Sequence, residues 1–234
     1  MAKVSVVLST YNEKENIRNT INAILKNVGP STEIVVVDDD SPDGTWKIVE
    51  EMQKDNKNIK LLRRMNKRDL ASAISDGIKL SNGDIIVLMD SDSTQPPSSI
   101  PELLGYLGDY DIAIGSRYVK GGKDLRSFDR VFTSLLFNLF ASIFLGFSVR
   151  DYTTGFVAAK RNVVDKIGII DRGYGEYCVD FLYQAKKRGF KIKEVPYVFS
   201  TRKFGETKTA PNIITLLRHG LSHGIKVLKL RFQD

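Results

Sequence analysis

The chain has 234 residues, 42% of them hydrophobic and 27% charged, which excludes a disordered or low-complexity protein and sets one large domain as the default. Its single cysteine, Cys178, excludes an internal disulfide and reads as a small buried apolar residue rather than a nucleophile. The net charge of +7 points to an anionic partner, and the charge is divided, with aspartate clusters in the first half and most of the arginines in the second.

The apolar run after Lys3 stops at Thr10 and Tyr11, too short for a signal peptide, so the expected location is the cytosol or the cytosolic side of a membrane. VSVVLST, EIVVVDDD, IKLL, DIIVLMD and DIAIGSRY read as strands. Stretches with helical spacing separate the first four, as at Ile17, Ile21, Ile24, Leu25 and Val28. This βαβα order, with nearly continuous apolar strands, predicts an α/β fold whose mostly parallel sheet is covered by helices on both faces. In such a doubly wound sandwich ligands bind beyond the carboxyl ends of the strands. Three polar clusters fall there: Thr10-Tyr11-Asn12-Glu13, Asp38-Asp39-Asp40 and Asp90-Ser91-Asp92.

No GxGxxG or GxxxxGK loop follows any strand, so a diphosphate must be held by other means. Adjacent carboxylates repel unless donors or a cation sit between them. Asp90 and Asp92, at a strand end before Pro96 and Pro97, therefore suit Mg²⁺ or Mn²⁺ shared with diphosphate oxygens. Asp43 or Thr45 is expected to cap the helix containing Trp46. His219 and His223 stand four apart without a third ligand nearby, which makes them polar-face residues rather than a soft-metal site.

Past Tyr118 the pattern changes. Val131 to Phe147 contains no charged residue, and two readings stay open: a buried core helix, or a helix lying in a membrane interface. The chain ends in PNIITLLRHGLSHGIKVLKLRF, whose apolar and basic residues at helical spacing predict an amphipathic surface-seeking helix. The basic residues are not interleaved with aromatics on a strand platform, and the acidic edge repels bare phosphates, so no nucleic-acid partner is expected.

VSVVLSTYNEKENI, IVVVDDDSPDGT, DLASAISDGIKLSNGDIIVLMDSD, IAIGSRYVKGG, DYTTGFVAAKR and FLYQAKKRGFKIKEVPYVFSTRKFGETK together resemble the successive blocks of family 2 inverting glycosyltransferases with the GT-A fold. More narrowly they are similar to dolichyl-phosphate (polyprenyl-phosphate) mannose synthases, with polyprenyl-phosphate glucose synthases and soluble saccharide-modifying members as alternatives. The resemblance implies a GT-A three-layer sandwich plus the C-terminal amphipathic helix. Its boundaries are 1–118 for the nucleotide-sugar half, 119–211 for the acceptor half with an interface helix at 126–147, and 212–234 for the terminal helix. It also implies the partners: a nucleotide sugar (GDP-mannose or UDP-glucose), dolichyl or polyprenyl phosphate, a membrane surface bound peripherally, and room for a small membrane-anchoring partner.

Residue by residue, the resemblance implies that Thr10, Tyr11 and Glu13 line the nucleotide pocket and that Asp38 and Asp39 bind base and ribose. Asp90 and Asp92 bind the metal and the sugar diphosphate. The family's further glutamine ligand falls on Thr94, with Gln95 beside it, so either is a candidate for the metal shell. Arg117, Arg130, Ser134 and Arg202 match positions that contact the lipid phosphate. KFGETK, ending in Lys208, matches a lid over the sugar nucleotide and adds Lys208 to the binding residues. A phosphate acceptor is already anionic and needs only arginines to position it. A sugar hydroxyl would call for a carboxylate base, and Asp151 is the candidate. Asp92, Arg117 and Asp151 are thus the expected catalytic residues.

Overall fold

The computed structural model describes residues 2–170, 172–173, 175–202, 204–205 and 213–232, and within the last segment the side chains of 215 and 220–232. The first half alternates as expected: β1 (Val4–Thr10), α1 (Ile17–Val28), β2 (Glu33–Asp38), α2 (Thr45–Asp55), β3 (Ile59–Arg63), α3 (Leu70–Leu80) and β4 (Ile85–Leu88). A short α4 (Ile100–Gly105) leads to β5 (Ile112–Ser116) and β6 (Lys123–Asp124). The second half adds α5 (Phe128–Leu145), β7 (Val157–Lys160), α6 (Arg161–Ile167), α7 (Glu176–Lys187), β8 (Ile192–Pro196), β9 (Val198–Phe199) and α8 (Ile213–Phe232).

The seven-stranded sheet runs in the order β3-β2-β1-β4-β7-β5-β8. Only β7 is antiparallel to its neighbours, β4 and β5. Both faces are covered, as the unbroken apolar strands require. Val6, Leu8 and Val36 pack under α1, α2 and α4 through Ile17, Ile21, Val49 and Leu103. Val7, Val35 and Val37 pack on the other face, against α3 and the second-half helices. α3 lies so close to the sheet that a Cβ on Gly77 would stand 2.5 Å from a Val7 methyl. This is the GT-A-like sandwich that the sequence predicts.

The amino ends of the strands are tied at Glu33, which is 3% exposed. It accepts hydrogen bonds from the Ser5 hydroxyl and the Asn82 amide and pairs with Lys60 at 2.8 Å. Burial pushes its carboxyl up, but these donors outweigh burial and bring it down from 4.5 to about 2. A folded-state value below the unfolded one stabilises the fold fully above the unfolded value, and the contribution is lost as pH falls through the folded one. Glu33→Gln is therefore expected to lower stability by about 2 kcal/mol at neutral pH. Denaturant titration should also show a flatter loss of stability between pH 4.5 and about 2 than in the parent.

Of the two readings of the uncharged segment, the buried core helix does not hold. On α5 only Asn138, Ala141, Ser142 and Leu145 are buried. Phe128, Phe132, Leu135, Leu136, Leu139 and Ile143 form an exposed stripe at helical spacing along its whole length. Beside it α8 runs in the same direction, because Phe137 meets His223 and Phe144 meets Phe232. α8 is held on α7 by Ser222 to Glu176 and by Lys226 to Asp180 at 2.9 Å, and exposes Leu221, Ile225, Leu228 and Phe232.

Candidate active site

Strands β1, β2 and β4 end side by side, and the loops after them carry Asn12, Asp40 and Ser93 at φ of 56°, 52° and 65°. Non-glycine residues in this left-handed region mark places where the surroundings dictate the backbone, here along the edge that carries the polar clusters. The loops brace one another: the Asn12 amide donates to Ser41 Oγ and the Glu13 amide to Thr45 Oγ1. Asp43 accepts from the Thr45 amide at 2.9 Å, but the residue before α2 is Gly44, at φ 84°, with no side-chain cap, which corrects the expectation that Asp43 or Thr45 caps the helix.

Two cavities open on this edge. The smaller, about 160 Å³, is lined by Thr10, Tyr11, Glu13, Asp39, Arg68 and Asp69 among others. The larger, about 580 Å³, is lined by Arg117, Arg126, Arg130, Ser134, Phe137, Tyr177 and His223 among others. Asp90, Asp92 and Arg202 line both. The carboxylate pair thus stands where the two cavities meet.

Gln95 brackets Asp90, accepting from its amide at 2.9 Å and donating Nε2–H to Oδ2 at 2.8 Å. Thr94 does the same for Asp92 Oδ1 through its amide and its hydroxyl, at 3.1 and 2.6 Å. Both candidates for the metal shell, Thr94 and Gln95, are thus hydrogen-bonded to the aspartates and help to aim them. Burial, and next to it the Asp92 charge, push the Asp90 carboxyl well above the usual carboxylate range. A divalent cation fits this arrangement, because it removes the repulsion and Asp90 Oδ1 takes no hydrogen bond from any described residue. Among the described residues no group of three or more His, Cys, Asp or Glu side chains is placed to hold a metal ion by itself. The ion would take its remaining ligands from diphosphate and water, as Mg²⁺ and Mn²⁺ do.

Asp38 and Asp39 part company. Asp38 is fully buried and accepts from Thr10 Oγ1, the Ser41 amide and Ser41 Oγ. Burial raises its carboxyl, these bonds oppose the rise, and it lines neither cavity. It is a loop fastener rather than the ligand contact expected of it. Asp39 lines the smaller cavity but is held by Arg64 at 2.7 Å and by the Asp69 amide. Arg64 in turn binds Asp76 and the Asp69 carbonyl, so the β3–α3 loop is fixed against Asp39. Arg68 on that loop stacks over the Tyr11 ring at 3.8 Å, where it can face a nucleotide base.

Beside the larger cavity Arg117 and Asp151 form one unit. Asp151 is fully buried and takes Arg117 Nε–H at 2.8 Å, Nη2–H at 2.7 Å and the Arg117 amide. Burial opposes the guanidinium charge, but Asp151 outweighs it and keeps Arg117 firmly protonated. Asp151 does not line the cavity; it stands behind Arg117 as its positioning residue, a correction to its candidacy as a base. Arg126 pairs with Asp124 at 2.6 Å. Ser134 accepts from the Tyr118 hydroxyl at 2.8 Å and lies one turn after Arg130 on α5. Arg202 bridges Glu13 and Asp92 and so stands between the two cavities.

Cys178 is buried and its thiol is pushed up to about 12 by burial, so it stays protonated as its apolar reading requires. Arg126, Arg64, Arg68 and His223 are the site residues that sequence reasoning did not assign a role. The basic stretch before α5 pointed at Arg126, whereas no motif pointed at the others. Lys208 and most of the KFGETK segment lie outside the described residues, as does the His219 side chain.

Three comparisons bear on this geometry. The family model described as Glycosyl transferase family 2 matches residues 5–168. A dolichol-phosphate mannosyltransferase of Pyrococcus furiosus is 38% identical over 223 residues, which cover 93% of this chain and 62% of that protein. An undecaprenyl-phosphate mannosyltransferase of Micrococcus luteus is 33% identical over 219 residues, covering 91% of this chain and 89% of that one. The chain therefore spans under two thirds of the archaeal relative and most of the bacterial one. Among solved structures, glucosyl-3-phosphoglycerate synthase of Mycobacterium tuberculosis in complex with Mn²⁺, uridine diphosphate and phosphoglyceric acid superposes with a TM-score of 0.74. It is 20% identical, over 99% of this chain and 79% of that one, which speaks for the fold alone.

Proposed function

The chain belongs to glycosyl transferase family 2 and is a glycosyltransferase, and from that premise we propose that it moves mannose from GDP-mannose to a polyprenyl phosphate such as dolichyl phosphate, with inversion, at the cytosolic face of a membrane. One observation carries the acceptor. Arg117, Arg126, Arg130 and Ser134 surround a cavity whose rim is α5, the helix with the exposed apolar stripe. A ligand that is anionic at one end and apolar at the other fits both features.

The donor diphosphate lies toward the smaller cavity, with the anomeric carbon near Asp90 and Asp92. A phosphate oxygen of the acceptor, aligned by the arginines, attacks that carbon. The bond to the diphosphate breaks, GDP leaves and the configuration inverts. Asp90 and Asp92 would hold a Mg²⁺ or Mn²⁺ ion, which when bound would supply positive charge where the leaving diphosphate gains negative charge. Arg202, between the cavities, orders both substrates. No general base is required, and the engagement of both Asp151 oxygens supports a phosphate acceptor over a saccharide hydroxyl. The mannosyl donor is supported by the names of the two mannosyltransferase relatives.

Membrane association through α5 and α8 follows from the same exposed stripes, since contiguous apolar surface of this extent marks an interaction face. Arg130→Ala is expected to raise KM for the polyprenyl phosphate by about tenfold, from loss of one charge-assisted contact, with donor KM within about twofold of the parent. Steady-state kinetics with each substrate varied in turn provides the check. A rise in donor KM alone would move Arg130 out of the acceptor site.

A further inference from the structure

The exposed apolar faces of α5 and α8 end in positive charge at both extremities. At the amino end of α5 stand Arg117, Arg126 and Arg130 of the acceptor cavity. At the other end α5, α7 and α8 finish together around a separate cavity of about 440 Å³, lined by Ile143, Phe144, Tyr183, Lys186, Lys187 and Arg231. None of the described residues that line it is acidic. From Arg130 to Leu145 the helix advances about 22 Å at its usual rise. The two cationic ends are thus separate sites on one face.

The second end is built, not scattered. Lys186 donates to the Leu145 carbonyl at 2.8 Å, which anchors its ammonium at the end of α5 and leaves further N–H donors. Gly146, at φ 101°, makes room for it, since a Cβ there would collide with Lys186 Nζ. Exposed Ile143 and Phe147 on one side and Phe232 on the other continue the apolar stripes to its edge. Tyr183 contributes a ring with a polar tip, the residue type that settles where hydrocarbon meets headgroups.

We propose that this cavity binds the phosphate-bearing headgroup of an anionic phospholipid in the bilayer. It fixes the azimuth of the enzyme, so that the α5–α8 face lies flat and the acceptor cavity meets the membrane at headgroup depth. The proposal rests on the reading that this face meets a membrane, and commits to an anionic bilayer because the described residues that line the cavity are cationic, aromatic or apolar.

The test is co-sedimentation of the full chain with vesicles of phosphatidylcholine alone and of phosphatidylcholine mixed equally with phosphatidylglycerol. The parent should bind the mixed vesicles more tightly. The double variant K187E/R231E, at two exposed positions, should lose about twentyfold on mixed vesicles while binding phosphatidylcholine as the parent does. K26E/K54E, with the same charge change on exposed positions of α1 and α2, should keep the parent's preference. Inorganic phosphate should not release the protein. Equal loss in K26E/K54E, no loss in K187E/R231E, or release by inorganic phosphate would each overturn the headgroup site. A parent that binds both vesicle types equally overturns this site and leaves the membrane reading standing. A parent that binds neither overturns both.

Discussion

Asp92→Asn should lower transfer by about three orders of magnitude while leaving the fold intact. The asparagine carbonyl can still accept from the Thr94 amide and hydroxyl, so the loop keeps its shape, and what disappears is the charge. Without divalent ion the variant should be at least as stable as the parent, because burial still raises the Asp90 carboxyl but the Asp92 charge no longer adds to it. With Mn²⁺ and donor nucleotide, the parent should gain thermal stability and the variant should gain little. Parental kcat in Asp92→Asn would mean that the metal and diphosphate are held elsewhere.

The second large effect concerns Arg117. Arg117→Ala strands a fully buried carboxylate, and breaking such a pair costs about 3–5 kcal/mol, so the single variant loses stability as well as activity. Its kinetics alone therefore do not report on acceptor binding. Arg117→Met combined with Asp151→Leu removes both charges, and chemical denaturation should show much of the lost stability restored, because two apolar side chains replace a buried ion pair. Transfer should stay near background, since the phosphate has lost its principal cation. A double variant that is both stable and active would reduce Arg117 to a structural partner of Asp151.

The sheet and its active edge were legible because they rest on local patterns. Continuous β-branched runs announce strands covered on both faces, and adjacent aspartates at strand ends announce a ligand. The direction of β7 was not, since an apolar run such as Val157–Lys160 pairs either way until its neighbours are known. The fate of α5 was left open for a related reason: an uncharged stripe at helical spacing suits a core or a lipid face equally, and only the packed neighbours decide. Asp38 could have been separated from Asp39 by alternation. It ends β2 on the face of Val36, which α1 and α2 cover, whereas Asp39 follows the strand and turns toward the smaller cavity. The pairing of Arg117 with Asp151, of Thr94 with Asp92 and of Gln95 with Asp90 depends on side-chain directions within turns, which residue spacing does not carry.

The central claim is a phosphate acceptor on a lipid. Its most direct test supplies purified protein with Mn²⁺ and GDP-mannose labelled in the sugar, and offers in parallel a polyprenyl phosphate, the same polyprenol without phosphate, and a soluble oligosaccharide. The account predicts label in an organic-soluble product only with the polyprenyl phosphate, abolished by Asp92→Asn. Label transferred to the oligosaccharide, or to the unphosphorylated polyprenol as readily as to its phosphate, would contradict it.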